Sequence, residues 1–272
     1  MTDDSLSMKA QQLLALHEGP VLVLPNAWDA GSAAVIASAG AQAIATTSAG
    51  VSWALGSPDG QQLTRDEMLD AVARIARAVE IPVTADVEAG YDDVAGTIAG
   101  VLRSGAVGVN LEDSRGRDGL LPAAEQAQQL ALARQTAIDN GVPELVINAR
   151  TDVYLFQVGA PETRLGNVLE RATAYAEAGA DVLFVPGLLD LAVLDDLVKT
   201  SPLPISVMAT AGGPTVAQFA AVGVRRVSVG SGLAQHAYTA ALQAAREMLT
   251  EGTFNSSADA VDYGTINGLF RR

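Results

Sequence analysis

The chain has 272 residues, of which 49% are apolar, and it contains no cysteine and carries a formal net charge of −14. This length and apolar content suit one large domain with a full core, and the missing cysteines exclude disulfides, thiolate zinc sites and a cysteine nucleophile. The negative charge argues against nucleic acid and anionic membranes as partners. The N-terminus lacks an apolar segment long enough for a signal peptide or a membrane span, so we expect a soluble, cytoplasmic protein.

Short apolar segments alternate with helical stretches along the chain. In chain order, the segments predicted as strands are Val21–Pro25, Ala43–Thr47, Pro82–Glu88, Val107–Asp113, Leu145–Arg150, Asp181–Pro186, Ile205–Ala209 and Val227–Gly230. Strands that alternate with helices over about 250 residues are typical of the α/β fold called the TIM barrel, (β/α)8. We therefore predict one barrel domain over residues 1–272, with a doubly wound open sheet as the competing fold.

Local residue patterns indicate where the predicted helices start and end. Thr64 and Glu67 have the spacing of a capping box at a helix start. A glycine follows several helical stretches and suits a left-handed cap before the next strand; these glycines are Gly40, Gly105, Gly179 and Gly223.

The chain continues beyond the eighth repeat. Within residues 252–272, the segment Ala258–Phe270 is predicted to form an extra helix. No barrel strand remains for its apolar residues to cover, so we expect this tail at the interface of a homo-oligomer, a dimer or a tetramer.

Polar pairs lie at the ends of three consecutive predicted strands, with two-residue spacing that puts both members on one face. These pairs are Asp86 with Glu88, Asn110 with Glu112, and Asn148 with Arg150. Three carboxylates near one guanidinium need a cation, and oxygen ligands favour Mg²⁺ or Mn²⁺. Each carboxylate could instead cap a helix or pair with an arginine. Arg150 is interpreted as a bidentate clamp on a substrate carboxylate, with a structural ion pair as the alternative.

Small and polar residues follow the first two predicted strands. The turn Thr46–Gly50, with Thr47, Ser48 and Ala49, exposes backbone N–H groups that suit an anion. Trp28 could form a wall of the pocket or pack in the core. Two glycine-rich loops, Ala211–Gly213 and Gly230–Gly232, follow strands seven and eight, where this fold often binds phosphate, although tight turns use glycine too.

The segment Asp86-Val87-Glu88-Ala89-Gly90-Tyr91 resembles the Asp-x-Asp-x-Gly-Tyr/Phe-Gly signature of the isocitrate lyase / phosphoenolpyruvate mutase superfamily. It departs from that signature at Glu88 and Asp92. Four further segments resemble the same superfamily in the expected order: Thr47–Val51, Ser57–Asp59, Asn110–Asp113 and Ala149–Asp152.

The resemblance implies a Mg²⁺ ion held mainly by Asp86, with Asp59, Glu88 and Glu112 acting through bound water. It also implies contacts from Thr47–Ala49 and Arg150 to a substrate carboxylate. Members of this superfamily act on 2-oxo acids or on 2-hydroxy di- and tricarboxylates through an enolate. They are also known for tetramers that exchange a C-terminal helix.

One loop departs from the lyases of this superfamily. Ser114–Leu121 contains neither the lysine nor the catalytic cysteine of their Lys-x-Cys-Gly-His loop. We expect this loop to close over bound ligand, with Arg115 or Arg117 supplying a cation and water or Asp118 supplying a proton. Pro186 stands where lyases of larger acids carry a glutamate, which favours a small substrate.

These residues lead to one hypothesis and two alternatives. The hypothesis is a Mg²⁺-dependent carbon–carbon lyase that acts on a small 2-oxo or 2-hydroxy dicarboxylate, with oxaloacetate-like and malate-like acids as first candidates. The first alternative is carbon–phosphorus chemistry on a phosphonate or phosphoenol acid. The second is a 2-oxo acid binding protein with weak catalysis.

Overall fold

The computed structural model describes residues 3–114 and 119–270. Within them, parallel strands form one sheet in the order β1-β9-β8-β7-β6-β5-β4-β3-β2. The strands are β1 Leu22–Val23, β2 Asn26–Ala27, β3 Ile44–Thr46, β4 Val83–Asp86, β5 Gly108–Glu112, β6 Val146–Arg150, β7 Val182–Phe184, β8 Ile205–Met208 and β9 Arg226–Ser228.

The sheet closes on itself through its first strand, which is split at Leu24 and Pro25. β1 pairs with β9, and β2 pairs with β3. The Leu24 N–H donates to Val227 O at 2.8 Å, and the carbonyl of Pro25 accepts from the Ala45 N–H at 3.1 Å. The predicted barrel is therefore confirmed and the open sheet is excluded, because the two halves of one strand join both edges.

Helices separate the strands in the predicted alternating pattern. Their bounds are α1 Asp3–Leu16, α2 Ala30–Ser38, α3 Ser48–Ala54, α4 Arg65–Ala78, α5 Val94–Ser104, α6 Ala123–Asp139, α7 Pro161–Glu177, α8 Leu191–Thr200, α9 Val216–Ala221, α10 Gly232–Thr250 and α11 Tyr263–Gly268, with a 3₁₀ turn at Asn255–Ser257. Thr64 and Glu67 form the predicted capping box of α4. The four predicted cap glycines all have positive φ, between 85° and 96°.

The barrel interior is closed at its N-terminal end by α1. Leu13 of α1 is fully buried, and a Cβ on Gly108 of β5 would lie 2.9 Å from Leu13 Cδ2. Glycine at this position therefore allows α1 to approach the N-terminal ends of the strands. The opposite, C-terminal ends stay open, and barrels of this fold carry their chemistry there.

The C-terminal tail differs from the predicted helix Ala258–Phe270. The helix present is α11, which covers Tyr263–Gly268 and starts after Asp262, whose side chain accepts from the Thr265 N–H at 3.0 Å. Gly264 and Gly268 are poor helix formers, which explains why the helix is short. Within residues 3–114 and 119–270, no helix has the length and hydropathy of a membrane span.

Candidate active site

A cavity of about 170 Å³ lies at the C-terminal ends of the barrel strands. Its lining residues are Asn26, Thr47, Ser48, Ala49, Asp59, Asp86, Asn110, Arg150, Leu155, Phe184, Pro186, Met208, Ser228, Gly230 and Ser231. Six residues of the predicted site thus meet here: Thr47, Ser48, Ala49, Asp59, Asp86 and Arg150. Glu88, Glu112 and Trp28 are absent from this lining.

Asp86 is the last residue of β4 and is almost fully buried. Its N–H donates to Thr46 Oγ1 at 2.8 Å, and its Oδ2 accepts from the Ser48 N–H at 3.2 Å. Its other oxygen, Oδ1, is buried and has no hydrogen-bond partner among the described residues. An unpaired buried carboxylate oxygen costs free energy unless a ligand pairs with it, so Oδ1 fits the role of a cation ligand.

The turn after β3 brings backbone N–H groups to Asp86. Thr47 caps α3, and its Oγ1 accepts from the Gly50 N–H. A Cβ on Gly50 would lie 2.7 Å from Thr47 Cγ2 and 2.8 Å from Trp28 Cβ, so only glycine fits here. Trp28 thus packs behind the turn, and it lines a separate surface groove with Asp29 and neighbouring residues.

Arg150, at the end of β6, is held by two carboxylates. Its Nη1 lies 2.8 Å from Glu112 Oε2, and its Nε lies 2.7 Å from Asp152 Oδ1. Its Nη2 donates to Asp152 Oδ2 at 3.0 Å. Burial would lower the pKa of Arg150, but the charges of Glu112, Asp152 and Asp86 raise it, so the guanidinium stays charged. Arginine has five N–H donors, so these contacts leave donors free for a ligand.

Glu112 and Glu88 both have protein partners. Glu112 accepts from Ser114 Oγ as well as from Arg150, and burial raises its pKa despite the arginine. Glu88 accepts from the Gln61 N–H at 2.5 Å and from the Tyr91 hydroxyl at 2.8 Å. Burial raises the pKa of Glu88 to about 7.

Asp59 lies in the loop between α3 and α4 and lines the cavity. Its pKa is raised, first by burial and then by the negative charge of Asp86. Sequence alone placed Asp59 in a turn, and its role in the site came from the resemblance.

The arrangement of the carboxylates bears on the predicted magnesium ion. In residues 3–114 and 119–270, no group of three or more His, Cys, Asp or Glu side chains is close enough together to hold a metal ion. Mg²⁺ often takes only one or two carboxylates and fills its remaining positions with water and substrate oxygen. Asp86 Oδ1 suits one such direct contact, and the water-mediated roles of Asp59, Glu88 and Glu112 stay a prediction.

The predicted loop residues Arg115, Arg117 and Asp118 lie outside the described residues. The base of the loop is described: Ser114 pairs with Leu120 in an antiparallel bridge, and the Leu121 N–H donates to Asp113 O at 2.7 Å. The predicted closure of Ser114–Leu121 over ligand stays a prediction.

Several lining residues were missing from the predicted site. Asn110 was visible as the polar partner of Glu112, and Gly230 and Ser231 as part of a glycine-rich loop. Leu155 and Met208 had no polar or motif pattern to identify them, because an apolar residue reads as core until the fold brings it to a cavity.

A closed parallel barrel with carboxylates and a buried arginine at its C-terminal strand ends is the architecture of a barrel enzyme. The sequence profile of the family described as phosphoenolpyruvate phosphomutase matches residues 13–249. The chain therefore belongs to this family, and the predicted superfamily is confirmed.

Among curated relatives, an uncharacterized protein of Mycobacterium tuberculosis is 38% identical over 216 residues, covering 79% of this chain and 80% of that protein. Oxaloacetate decarboxylase of Pseudomonas aeruginosa is 31% identical over 210 residues, covering 72% of this chain and 68% of that protein.

Two solved structures are also similar to this chain. A proposed lyase/mutase from Burkholderia cenocepacia has a TM-score of 0.90 and 36% identity, covering 98% of both chains. Oxaloacetate acetylhydrolase, solved with its product oxalate, has a TM-score of 0.86 and 25% identity, covering 97% of this chain and 94% of that chain. The chain is thus an enzyme of this superfamily, of the carbon–carbon lyase type that the sequence predicted.

Proposed function

We propose that this enzyme is a Mg²⁺-dependent lyase that cleaves a carbon–carbon bond of a small 2-oxo or 2-hydroxy dicarboxylate through an enolate. The observation that carries the proposal is that Asp86, whose Oδ1 has no hydrogen-bond partner among the described residues, lines the same small cavity as Arg150. One group suits a divalent cation and the other suits a carboxylate, and a 2-oxo or 2-hydroxy acid needs both.

The size of the cavity favours a small substrate. Its volume of about 170 Å³ lies below the ~300–1,000 Å³ that is usual for ligand pockets. The names of two proteins that resemble this chain, oxaloacetate decarboxylase and oxaloacetate acetylhydrolase, point to the same acid. We therefore take oxaloacetate as the first substrate to test.

The residues of the cavity have separate tasks in such a reaction. Arg150 would bind a substrate carboxylate with its free N–H donors, and the Thr47–Ala49 turn would orient the acid beside Asp86. When bound, Mg²⁺ supplies a Lewis acid that stabilises negative charge on the 2-oxygen. With oxaloacetate, the bond between C3 and the C4 carboxylate would break, CO2 would leave with the electron pair of that bond kept by the enolate, and C3 would take up a proton to give pyruvate. The proton would come from water or from Asp59, which lines the same cavity.

Carbon–phosphorus chemistry is the second candidate, because the matching family is described as a phosphomutase. Gly230 and Ser231, after β9, do line the cavity. Arg150, however, is the one basic side chain among the described lining residues. A phosphoryl group carries more negative charge than a carboxylate. Apart from Arg150, no positively charged side chain among the described lining residues would bind it, so this candidate ranks below the lyase.

The experiment measures turnover of oxaloacetate with Mg²⁺, with EDTA, and in the variant Asp86→Asn. We expect Mg²⁺-dependent release of CO2 that EDTA and Asp86→Asn abolish, while the control Asp139→Asn, at the exposed end of α6, keeps parental turnover. Turnover unaffected by EDTA would contradict the proposal. Turnover of phosphonates or phosphoenol acids instead would support the second candidate, and 2-oxo acid binding without turnover would support the binding protein.

A further inference from the structure

A fully buried arginine lies beneath the candidate active site. Arg226, on β9, is 1% exposed. It points into the barrel, because Ser228, two residues further on, lines the cavity. Its Nη2 reaches across the barrel and donates to Asn110 Oδ1 at 3.2 Å. Its Nε and Nη1 have no partner among the described residues, which also provide no ion pair for it.

The arginine determines which way the Asn110 amide faces. A guanidinium only donates hydrogen bonds, so the oxygen of Asn110 must face Arg226. Asn148 Nδ2 donates to the same oxygen at 2.7 Å. The nitrogen of the Asn110 amide is therefore directed away from these two donors. Asn110 lines the cavity, and its Nδ2 has no hydrogen bond within the described part of the chain.

A second asparagine in the same lining differs in this respect. Asn26 Nδ2 donates to Thr46 O at 2.9 Å, and its Oδ1 accepts from the Val229 N–H at 3.0 Å. Both ends of the Asn26 amide thus connect backbone segments of the barrel. An amide nitrogen has two N–H donors. One of those of Asn26 is used within the barrel, whereas neither of those of Asn110 has a partner in the described part of the chain.

We infer that Asn110 donates a hydrogen bond from Nδ2 to an acceptor oxygen of the bound substrate, and that Arg226 is the positioning residue that keeps this donor turned to the cavity. The register pairs Asn110 with Asp86 on the neighbouring strand, so the donor lies beside the proposed metal ligand. A 2-oxo or carboxylate oxygen can accept this bond, whereas a 2-ammonium group cannot. The inference rests on the proposed function and adds a determinant of its specificity for oxygen-bearing acids.

The test uses two substitutions of Asn110 and measures the affinity for oxalate in the presence of Mg²⁺ by calorimetry. Asn110→Asp keeps an oxygen for Arg226 and Asn148 but replaces the donor with an acceptor. Asn110→Ala removes the donor without adding charge. We expect both to raise the Kd of oxalate at least tenfold, with Asn110→Asp keeping the parental melting temperature. A loss confined to Asn110→Asp would be an effect of charge and would overturn the inference.

The role of Arg226 is tested by rescue. Arg226→Met should raise the Kd of oxalate, and Arg226→Lys, which still donates to Asn110, should restore it to within a few-fold of the parent. Ser206→Ala is the matched control, because Ser206 pairs in register with Arg226 and its hydroxyl has no partner among the described residues. Equal loss in the Met and Lys variants would mean that Arg226 serves only stability.

A ligand-free measurement checks the amide orientation independently. In ¹⁵N-asparagine NMR spectra, the Asn110 NH2 protons should exchange quickly with water, and those of Asn148 slowly. Slow exchange at Asn110 would overturn the inference. If the parent protein neither binds oxalate nor turns over 2-oxo acids, the proposed function has failed. If the parent binds oxalate and the Asn110 variants bind it equally well, the further inference alone has failed.

Discussion

Arg150 is held so firmly by Glu112 and Asp152 that little side-chain freedom remains to be lost on ligand binding. Three of its N–H donors are used in these contacts, and its guanidinium carbon lies 5.9 Å from the centre of the Phe184 ring. Rigid positioning of this kind is what makes a clamp selective for a planar carboxylate.

We expect Arg150→Lys to weaken binding of oxalate and oxaloacetate by ~1.5–3 kcal/mol, the value of a charge-assisted hydrogen bond. Lysine keeps the positive charge but lacks the planar fork of donors that binds a carboxylate through two hydrogen bonds. Calorimetry would measure the change. Arg65→Lys is the control, because Arg65 forms an exposed ion pair with Asp93. Parental affinity in Arg150→Lys would mean that the residue is structural.

His17 provides a prediction about pH. It follows α1 and is buried, with its Nδ1 2.9 Å from Leu13 O. Burial, assisted by the charge of Arg226, lowers its pKa from 6.5 to about 4. The unfolded chain therefore binds a proton at higher pH than the folded chain, and the stabilising contribution, complete above pH 6.5, is lost as the pH falls toward 4.

We expect the free energy of unfolding of the parent to fall by about 3 kcal/mol more than that of His17→Gln between neutral pH and about pH 4. Urea denaturation at several pH values would measure the difference. The control is His236→Gln on the exposed part of α10. A constant difference between parent and His17→Gln across this range would refute the assignment.

At the scale of elements, loops from different strands are packed closely to form the cavity. Gly187 follows β7 with φ of 85°, and a Cβ there would lie 2.9 Å from the backbone of Leu155. Leu155 and Pro186 both line the cavity. The loop after β7 therefore supports the segment after β6 by backbone contact.

We expect Gly187→Ala to destabilise the protein by about 1–3 kcal/mol and to weaken oxalate binding, because the added methyl group must displace Leu155. Gly166→Ala is the matched control: Gly166 lies within α7 and has open space around it, so alanine there should stabilise by ~0.5–1 kcal/mol. Thermal unfolding and calorimetry would measure both effects. Equal stability of the two variants would contradict this packing argument.

At the scale of the whole molecule, the C-terminal region leaves a large apolar surface exposed. Ala234 is the buried residue of α10, and Leu249 and Tyr263 are 86% and 84% exposed. Phe254 and Val261 are exposed as well. An apolar surface of this kind is typical of an interface, so the predicted dimer or tetramer stays our proposal. The single-domain organisation over residues 1–272 also stays a prediction.

We expect truncation after Glu251, or the double substitution of Leu249 and Phe254 by serine, to lower the number of subunits per particle, obtained in light scattering as the molar mass divided by the mass of one chain. The control Met8→Ser changes an exposed apolar residue of α1, at the other end of the barrel. An unchanged number of subunits in both variants would exclude the tail as the assembly element.

The sequence by itself predicted the barrel, because strand alternation, glycine caps and the spacing of polar pairs are local patterns. It also predicted that Asp86 and Arg150 lie at one end of the barrel, because both stand at the C-terminal ends of parallel strands. It left open which carboxylates would pair with protein groups. In the structure Glu88 and Glu112 have protein partners, whereas Asp86 Oδ1 has none among the described residues. Nor did the sequence predict that Trp28 would pack behind the turn.

These outcomes were decided by the tertiary structure, since the partners come from distant parts of the chain. Arg226 and Asn110 are 116 residues apart, and they meet because the barrel closes. The pairing of β1 with β9 and of β2 with β3 closes the barrel, and this closure determines which donors lie within hydrogen-bond distance of which oxygens. Local periodicity fixes the face of a strand that a side chain occupies, whereas its hydrogen-bond partner depends on the packing of the whole barrel.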